Sequence, residues 1–288
     1  MKTLLVLGLF ALVPEVREAI NAGDFKKAEA LVAADRKAAG LTPENVLALS
    51  WLGRGALAAK NYDSADKYAL ETERHASELL KKRKIDAEPN LPLALGASIE
   101  VQSQVLAARG ERDRALAFLR EQVTRYRDTS MRARIQKNIN LIDLVGKRAP
   151  ELDIREHIGT VKPMSLSALR GKPILLFLWA HWCSDCKAQG PVISRLMKEF
   201  APKGLTVIAP TQLYNEVANE RQHIAGVLAQ NYPDLKSVAV PLSSETFYKY
   251  GVSSTPTLVL IDRSSIVRLY RPGRMTYEEL APLIAGIL

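Results

Sequence analysis

The stretch KPILLFLWAHWCSDCKAQGP runs from Lys172 to Pro191 and contains both cysteines of this 288-residue chain, Cys183 and Cys186. Its first half is a continuous apolar run, which is typical of a strand buried on both faces. The two cysteines follow at the expected start of a helix. The order strand, CxxC, helix therefore indicates an α/β domain whose chemistry resides in this pair.

The expected position of the cysteines favours reactivity. Unsatisfied N–H groups and the dipole at a helix N-terminus stabilise an anion, so a thiolate there is a good nucleophile. Cys183 stands first and is expected to be the more exposed sulfur, whereas Cys186 lies one turn in, close enough to form a disulfide. A purely structural disulfide is disfavoured because so small a loop removes little chain entropy. We predict a redox-active dithiol.

Metal binding is the alternative reading of the same residues. A structural zinc site needs about four ligands, and only Cys183, Cys186 and His181 lie near one another in the sequence. Copper binding by these three residues stays open as an alternative. We otherwise interpret His181 as a polar residue on the rim of the active-site surface. The prediction is no metal and no cofactor beyond the Cys183–Cys186 disulfide.

Composition and the N-terminus bound the class of protein. Hydrophobic residues make up 47% and charged residues 25%, with a net charge of +9, which is typical of a globular protein. The one dense basic run, Lys81–Lys84, lacks interleaved aromatic residues, so no nucleic-acid partner is expected. The apolar run Leu4–Val13 has the length of a signal peptide, and residues 1–13 are predicted to direct export. If this run is instead a buried helix, the protein is cytoplasmic.

Residues 14–146 show a helical, alanine-rich pattern with three related segments. NAGDFKKAEAL, AAKNYDSADKYAL and AARGERDRALAFL each place a turn before an amphipathic helix, and they align on Ala28, Ala65 and Ala115. Stacked helical hairpins would bury faces that no single hairpin can bury. The segment SMRARIQKNINLIDLVG is expected to close this domain. Elsewhere in this domain, Trp51-Leu52-Gly53 and Tyr62 are among the residues that resemble the tetratricopeptide-repeat motif.

Residues 147–288 resemble the thioredoxin superfamily, specifically its TlpA/ResA-like thiol–disulfide oxidoreductases. Three segments carry the resemblance: GKRAPEL, MSLSALRGKPILLFLWAHWCSDCK and YGVSSTPTLVLIDRSSIVRLYRPG. The fold class is thus α + α/β, with helical hairpins followed by a thioredoxin-like domain. The resemblance implies that Pro256 is a cis-proline facing the disulfide and that the backbone of Thr255 pairs with bound substrate. Trp182 is expected to contribute to the docking surface.

The chain departs from the family pattern at Phe177 and at the dipeptide Ser184-Asp185 between the cysteines, which lacks the proline that many relatives carry. Phe177 stands where thioredoxin has a buried acid, so proton transfer to or from Cys186 must use another group or water. The candidates are Glu216 and Glu220, which lie in the inserted segment QLYNEVANERQHIAGVLAQNYPDLKSVAV, the counterpart of the family's extra helical insertion. A redoxin-type peroxidase would have threonine two residues before the reactive cysteine, and His181 occupies that position.

The sequence therefore predicts an enzyme that exchanges its dithiol with disulfides of partner proteins. The negative charge of Asp185 near Cys183 favours the reducing direction, which requires an upstream thiol reductant. The helical domain is expected to position a protein partner, and the location is expected to be periplasmic or membrane-associated and extracytoplasmic. The alternatives are a helical-repeat scaffold with an idle thioredoxin-like domain, and a thiol peroxidase.

Overall fold

The computed structural model describes residues 12–215 and 219–288, which form two compact units that divide between Ile135 and Gln136. Most of the proposed signal segment lies outside the described residues, and its last two residues open the first helix. Among the described helices, none combines the length and apolar character that crossing a bilayer requires.

The N-terminal unit is built of helices. In chain order they are α1 (Leu12–Asn21), α2 (Phe25–Ala39), α3 (Pro43–Ala58), α4 (Tyr62–Leu80), α5 (Asn90–Ala108), α6 (Arg112–Arg125) and α7 (Arg132–Asp143). Each of α1, α3 and α5 packs on the helix that follows it, and α3 packs on both α1 and α5. The predicted hairpin array is therefore confirmed, while its assignment to tetratricopeptide repeats stays a prediction.

The repeat is visible in the packing and in the turns. Ala28, Ala65 and Ala115, the three aligned alanines, are all completely buried. Small side chains at these positions allow the helices to approach closely, as the sequence pattern implied. The turns that precede these alanines each contain one residue with left-handed backbone, φ being 77° at Gly23, 58° at Lys60 and 83° at Gly110.

The division between the units lies within α7 and not after residue 146, where the sequence placed it. The second half of α7 packs on its own unit. The Asn140 side-chain amide donates to the carbonyl oxygen of Lys249 at 3.1 Å. A Cβ on Gly251 would come within 2.3 Å of the backbone nitrogen of Lys137. Helical periodicity shows that α7 exists but not which residues it packs against, and this explains the difference.

The C-terminal unit contains a mixed sheet between helices. Its elements are β1 (His157–Ile158), β2 (Ile174–Leu178), α8 (Ser184–Phe200), β3 (Thr206–Ile208), α9 (Glu220–Asn231), β4 (Val240–Pro241), α10 (Ser244–Lys249), β5 (Thr257–Ile261), β6 (Val267–Pro272) and α11 (Tyr277–Ala285). The main sheet has the order β3-β2-β5-β6. Strand β2 is parallel to β3 and antiparallel to β5, and β1 pairs with β4 separately.

Strand β2 lies at the centre of the fold and leads directly to the cysteines. All five of its residues are buried, as the continuous apolar run predicted. Leu175 and Phe177 pack into the cluster that contains α8, α9 and α11, and the alternate residues pack towards α10 on the other face. The end of β2 is therefore held rigidly from both sides, and this fixes the start of α8.

Candidate active site

Cys183 is the N-cap residue of α8. Its backbone is extended, and its sulfur accepts a hydrogen bond from the backbone N–H of Cys186, at 3.2 Å. Both cysteines are free thiols. The helix start therefore directs an N–H group at the Cys183 sulfur, which is the arrangement that stabilises a thiolate.

The loop before β5 places a second polar group at the same sulfur. The Cys183 thiol donates to the carbonyl oxygen of Thr255 at 3.3 Å, and the Thr255–Pro256 peptide bond is cis. The structure thus brings Thr255 and Pro256 to the cysteine pair from a position about 70 residues further along the chain. An extended peptide that pairs with the Thr255 backbone would lie next to Cys183.

The two cysteines differ in their surroundings. Cys183 is 6% exposed and Cys186 is fully buried, so both are more enclosed than expected, although Cys183 is the more accessible. Burial raises the pKa of Cys186 well above the usual range of a thiol, and the hydrogen bond with Cys183 raises it further. Phe177 is completely buried in the same apolar cluster and offers no proton acceptor. Cys186 needs a neighbouring group to take its proton.

Glu220 is a buried carboxylate from the inserted segment. Its two oxygens accept the backbone N–H groups of Tyr214 and Asn215, each at 2.9 Å. Burial alone raises the pKa of Glu220, but these hydrogen bonds and the nearby His181 outweigh burial, so the net shift is downward and the group is ionised at neutral pH. The other acidic candidate, Glu216, lies outside the described residues.

His181 is part of this buried group and not a rim residue, which corrects the sequence interpretation. It is 6% exposed, and its Nε2 lies 3.8 Å from Oε1 of Glu220. Its ring is perpendicular to that of His223 at 5.1 Å, and its Nδ1 is buried without a hydrogen-bond partner in the described residues. Burial lowers the pKa of His181, so the ring is neutral at pH 7. The sequence did not indicate this inward orientation. Side chains alternate between the two faces only along a regular strand, and the segment beyond β2 is irregular.

Tyr214 joins this cluster to the exposed surface, and sequence reasoning missed it. Its ring contacts Trp182 edge-to-face at 5.3 Å, and Trp182 is 59% exposed beside the cysteines. Burial raises the pKa of Tyr214, and the negative charges of the deprotonated Cys186 and Cys183 and of Glu220 raise it by smaller amounts. No motif marks this tyrosine in the sequence.

A second contact near the start of α8 involves the segment that precedes α11. The Gln189 side chain, which is buried, donates to the carbonyl oxygen of Met275 at 2.9 Å and accepts the Met275 N–H at 3.0 Å. This pairing holds the segment before α11 against α8. It places Nε of Arg274 3.5 Å from the Asp185 carboxylate, with both side chains largely exposed.

Within residues 12–215 and 219–288, no group of three or more histidine, cysteine, aspartate or glutamate side chains is arranged to hold a metal ion. Backbone hydrogen-bonding groups flank the Cys183 sulfur.

Comparison with known proteins gives consistent matches. Residues 145–270 match the AhpC/TSA family. A thiol-disulfide oxidoreductase ResA from Bacillus thuringiensis is 30% identical over 144 residues, covering 50% of this chain and 78% of that protein. The chain belongs to the ResA-type thiol–disulfide oxidoreductases.

Other ResA-type and DsbE-type proteins match over a similar length. A thiol:disulfide interchange protein DsbE from Xylella fastidiosa is 29% identical over 148 residues, covering 50% of this chain and 71% of that protein. A Chlorobium tepidum crystal structure assigned as DsbE is 26% identical, with a TM-score of 0.42, covering 50% of this chain and 96% of that chain. The predicted enzyme class, a thioredoxin-like thiol–disulfide oxidoreductase, is confirmed.

Proposed function

We propose that this ResA-type oxidoreductase reduces disulfides of partner proteins through Cys183. The Cys183 thiolate attacks one sulfur of the partner disulfide, forms a mixed disulfide and releases the other partner sulfur as a thiolate. Cys186 then loses its proton and attacks Cys183, which releases the reduced partner and leaves the Cys183–Cys186 disulfide. An upstream thiol reductant returns the pair to the dithiol. The observation that carries this proposal is the position of the Cys183 sulfur between the start of α8 and the Thr255 carbonyl.

The docking surface follows from the same geometry. The Thr255 carbonyl and the cis-proline loop offer backbone hydrogen bonding to an extended partner segment beside Cys183. Trp182 is the large exposed apolar side chain next to that position, and Tyr214 supports it from the side. We assign substrate contacts to Trp182, Thr255 and Pro256.

The proton of Cys186 is assigned to the buried polar cluster. Phe177 cannot accept a proton, whereas Glu220 is ionised and lies beside His181, which precedes the CxxC pair by two residues. Glu220 is therefore the group that receives the proton when Cys186 attacks, with His181 beside it as a neutral partner. Transfer of the proton from Cys186 to Glu220 leaves the total charge of these two groups unchanged.

The reducing direction is supported by charge. A disulfide is strongly oxidising when its reduced thiolate form is strongly stabilised. Asp185 lies two residues after Cys183, and its negative charge disfavours a thiolate there. Arg274 offsets part of this effect, but the pair is exposed and screened. We further propose that the helical unit positions the partner protein and that the enzyme acts outside the cytoplasm.

Reduction of insulin disulfides with dithiothreitol as the upstream thiol tests this function. The wild-type chain should accelerate insulin precipitation, and Cys183→Ser should not. A catalytically idle scaffold would give the same rate with and without the protein. A parallel assay with hydrogen peroxide as the oxidant separates a peroxidase, because faster consumption of peroxide than of insulin disulfide would contradict the proposal.

A further inference from the structure

Two guanidinium groups of the helical unit lie on one indole ring. Trp51 is on α3, Arg54 follows it by one helical turn, and Arg17 approaches from α1. The central guanidinium carbons of Arg17 and Arg54 lie 4.3 Å and 4.6 Å from the centre of the Trp51 ring. Contacts of this length are cation–π interactions, and they hold two positive charges at one place.

The guanidinium groups of Arg17 and Arg54 have no direct polar partner among the described residues, since no hydrogen bond or ion pair there involves either of them. The nearby carboxylate, Glu100, is bound instead by Arg134, whose Nε and Nη2 lie 3.2 Å and 3.1 Å from its Oε2. Because Arg134 binds Glu100, this carboxylate offsets the charge at Arg54 only in part, and the site carries an excess of positive charge.

The pKa of Arg54 reflects this excess of positive charge. Burial lowers the pKa of Arg54 to about 10, the positive charges of Arg134 and Arg17 lower it as well, and Glu100 only partly opposes them. Arg54 is thus half-buried, charged at neutral pH and unpaired. Such a charge is costly unless a bound anion compensates it. The guanidinium fork matches a carboxylate in shape and hydrogen-bonding pattern.

A cavity of about 520 Å³ adjoins Arg54. Its lining includes the cationic Arg54 and Lys60, the carboxylate of Glu100 that Arg134 binds, and Gln104, together with the apolar Leu57 and Val101. The cavity is large enough for one or two side chains of a peptide but not for a folded element. A cavity that combines an apolar wall with positive charge suits a peptide with acidic and aliphatic residues better than it suits a free inorganic anion.

We propose that Arg17 and Arg54, held on Trp51, bind a carboxylate of an acidic peptide segment of the partner protein, with an aliphatic neighbour entering the adjoining cavity. This inference deepens the proposal that the helical unit positions a partner. It makes no use of the thiols, so it can fail while the assignment of disulfide exchange stands.

Fluorescence anisotropy of labelled peptides tests the site with the full, reduced chain. The probe is fluorescein-labelled GLEELEEG, and its matched control is the uncharged GLQQLQQG. The acidic peptide should bind saturably and the glutamine peptide at least tenfold more weakly. Arg54→Gln and Arg17→Gln should each weaken binding of the acidic peptide at least tenfold, because each removes a charged hydrogen-bond donor. Far-ultraviolet circular dichroism checks that each variant is folded.

Arg125→Gln is the control for net charge. Arg125 is on α6 of the same unit, is exposed and already pairs with Glu121, so this variant should bind the acidic peptide as the wild type does. An equal loss of affinity in Arg125→Gln would show that general electrostatic attraction is responsible and would overturn the proposal. Equal binding of the two peptides would overturn it too. Inorganic phosphate should compete only at concentrations at least tenfold above the dissociation constant of the peptide; equal potency would assign the site to a free oxyanion instead.

Discussion

At the scale of single residues, the two thiols have been given different surroundings by the fold. Cys183 contacts a backbone donor of α8 and the carbonyl of Thr255, whereas Cys186 is enclosed by apolar side chains. The first arrangement suits attack on an external disulfide, and the second keeps the resolving thiol protonated until it is needed. A buried thiol of this kind depends on a base, and we propose Glu220, which the fold keeps ionised beside His181, for that role.

Glu220→Gln should slow the resolving step and leave the first step unchanged. Glutamine keeps the shape and one acceptor for the Tyr214–Asn215 backbone but cannot take a proton. Release of the partner from the mixed disulfide should fall at least about tenfold at pH 7, because positioned proton acceptors contribute about 10²–10⁴ to such steps. Stopped-flow kinetics measures both phases.

The pH dependence separates this role from a structural one. If Glu220 acts as the base, raising the pH should restore much of the lost rate, since solvent can then deprotonate Cys186. Glu278→Gln, an exposed glutamate of the same unit, is the control and should behave as wild type. A deficit in Glu220→Gln that stays constant with pH would argue for a structural role only.

His181 should make the C-terminal unit less stable in mild acid. Its pKa is lowered in the folded chain, so the unfolded state binds the proton more readily. The contribution of His181 to the free energy of unfolding is fully present above the unfolded-state pKa of about 6.5. It is lost as the pH falls below that value, by at most about 1.4 kcal/mol per pH unit. Glu220, His223, Lys187 and Tyr214 surround the ring. The lowered pKa of Glu220 matters only below about 4.5, outside this range.

Urea unfolding of the C-terminal unit between pH 7.5 and pH 5.5 measures the effect. His181→Gln should flatten the loss of stability over this range. His157→Gln removes a histidine of the same unit that lies outside the cluster and should leave the loss as it is in the wild type. A pH profile of His181→Gln that matches the wild type would contradict the assigned burial and charge state of His181.

At the scale of elements, the three hairpin turns share one backbone conformation but not one residue type. Gly23 and Gly110 adopt the left-handed conformation without strain, whereas Lys60 must place a Cβ there. The carbonyls that end the preceding helices are satisfied in the same way in each turn, for example by Asn61 N–H to Ala56 carbonyl at 2.9 Å. The conformation is thus imposed by the repeat and tolerated by Lys60.

Lys60→Gly should stabilise the helical unit by up to about 1 kcal/mol, because it removes the steric cost of the left-handed conformation. Lys67→Gly, in the middle of α4, is the matched control and should destabilise the unit by about 1 kcal/mol. Thermal unfolding followed by circular dichroism reads both. Destabilisation by Lys60→Gly would show that this turn does not adopt the left-handed conformation in solution.

Local patterns in the sequence predicted most elements. The apolar run of β2 and the alanines of the hairpins can be recognised in the sequence because hydrophobic periodicity is a local property. The side that His181 faces, the β1–β4 pair and the packing of the second half of α7 were not, since each depends on partners distant in the chain. The strand–CxxC–helix order identified the cysteines and the family resemblance identified the Thr255–Pro256 loop, whereas Tyr214 and Gln189 are identified only by their contacts.

At the scale of the whole molecule, all the thiol chemistry lies within the C-terminal unit. A fragment of residues 130–288 should therefore fold and reduce a small disulfide at the wild-type rate. A fragment of residues 147–288 should be less stable for two reasons. It lacks the part of α7 that packs on Gly251, and it lacks Leu144, which is buried in the core. Thermal unfolding and reduction of a small disulfide reagent test both fragments.

Two outcomes would contradict this division of labour. Equal stability of the two fragments would show that α7 adds nothing to the C-terminal unit. A folded 130–288 fragment that does not exchange thiols would show that the helical unit contributes to the chemistry.

Trapping of the mixed disulfide tests the central claim most directly. Cys186→Ser, incubated with insulin, should accumulate a covalent adduct through Cys183 that dithiothreitol releases, because the resolving thiol is absent. Cys183→Ser should accumulate little or none, since Cys186 is fully buried. Peptide mass spectrometry identifies the linked cysteine. An adduct through Cys186 in Cys183→Ser that forms as fast as the adduct through Cys183 in Cys186→Ser, or no adduct in either variant, would contradict the account.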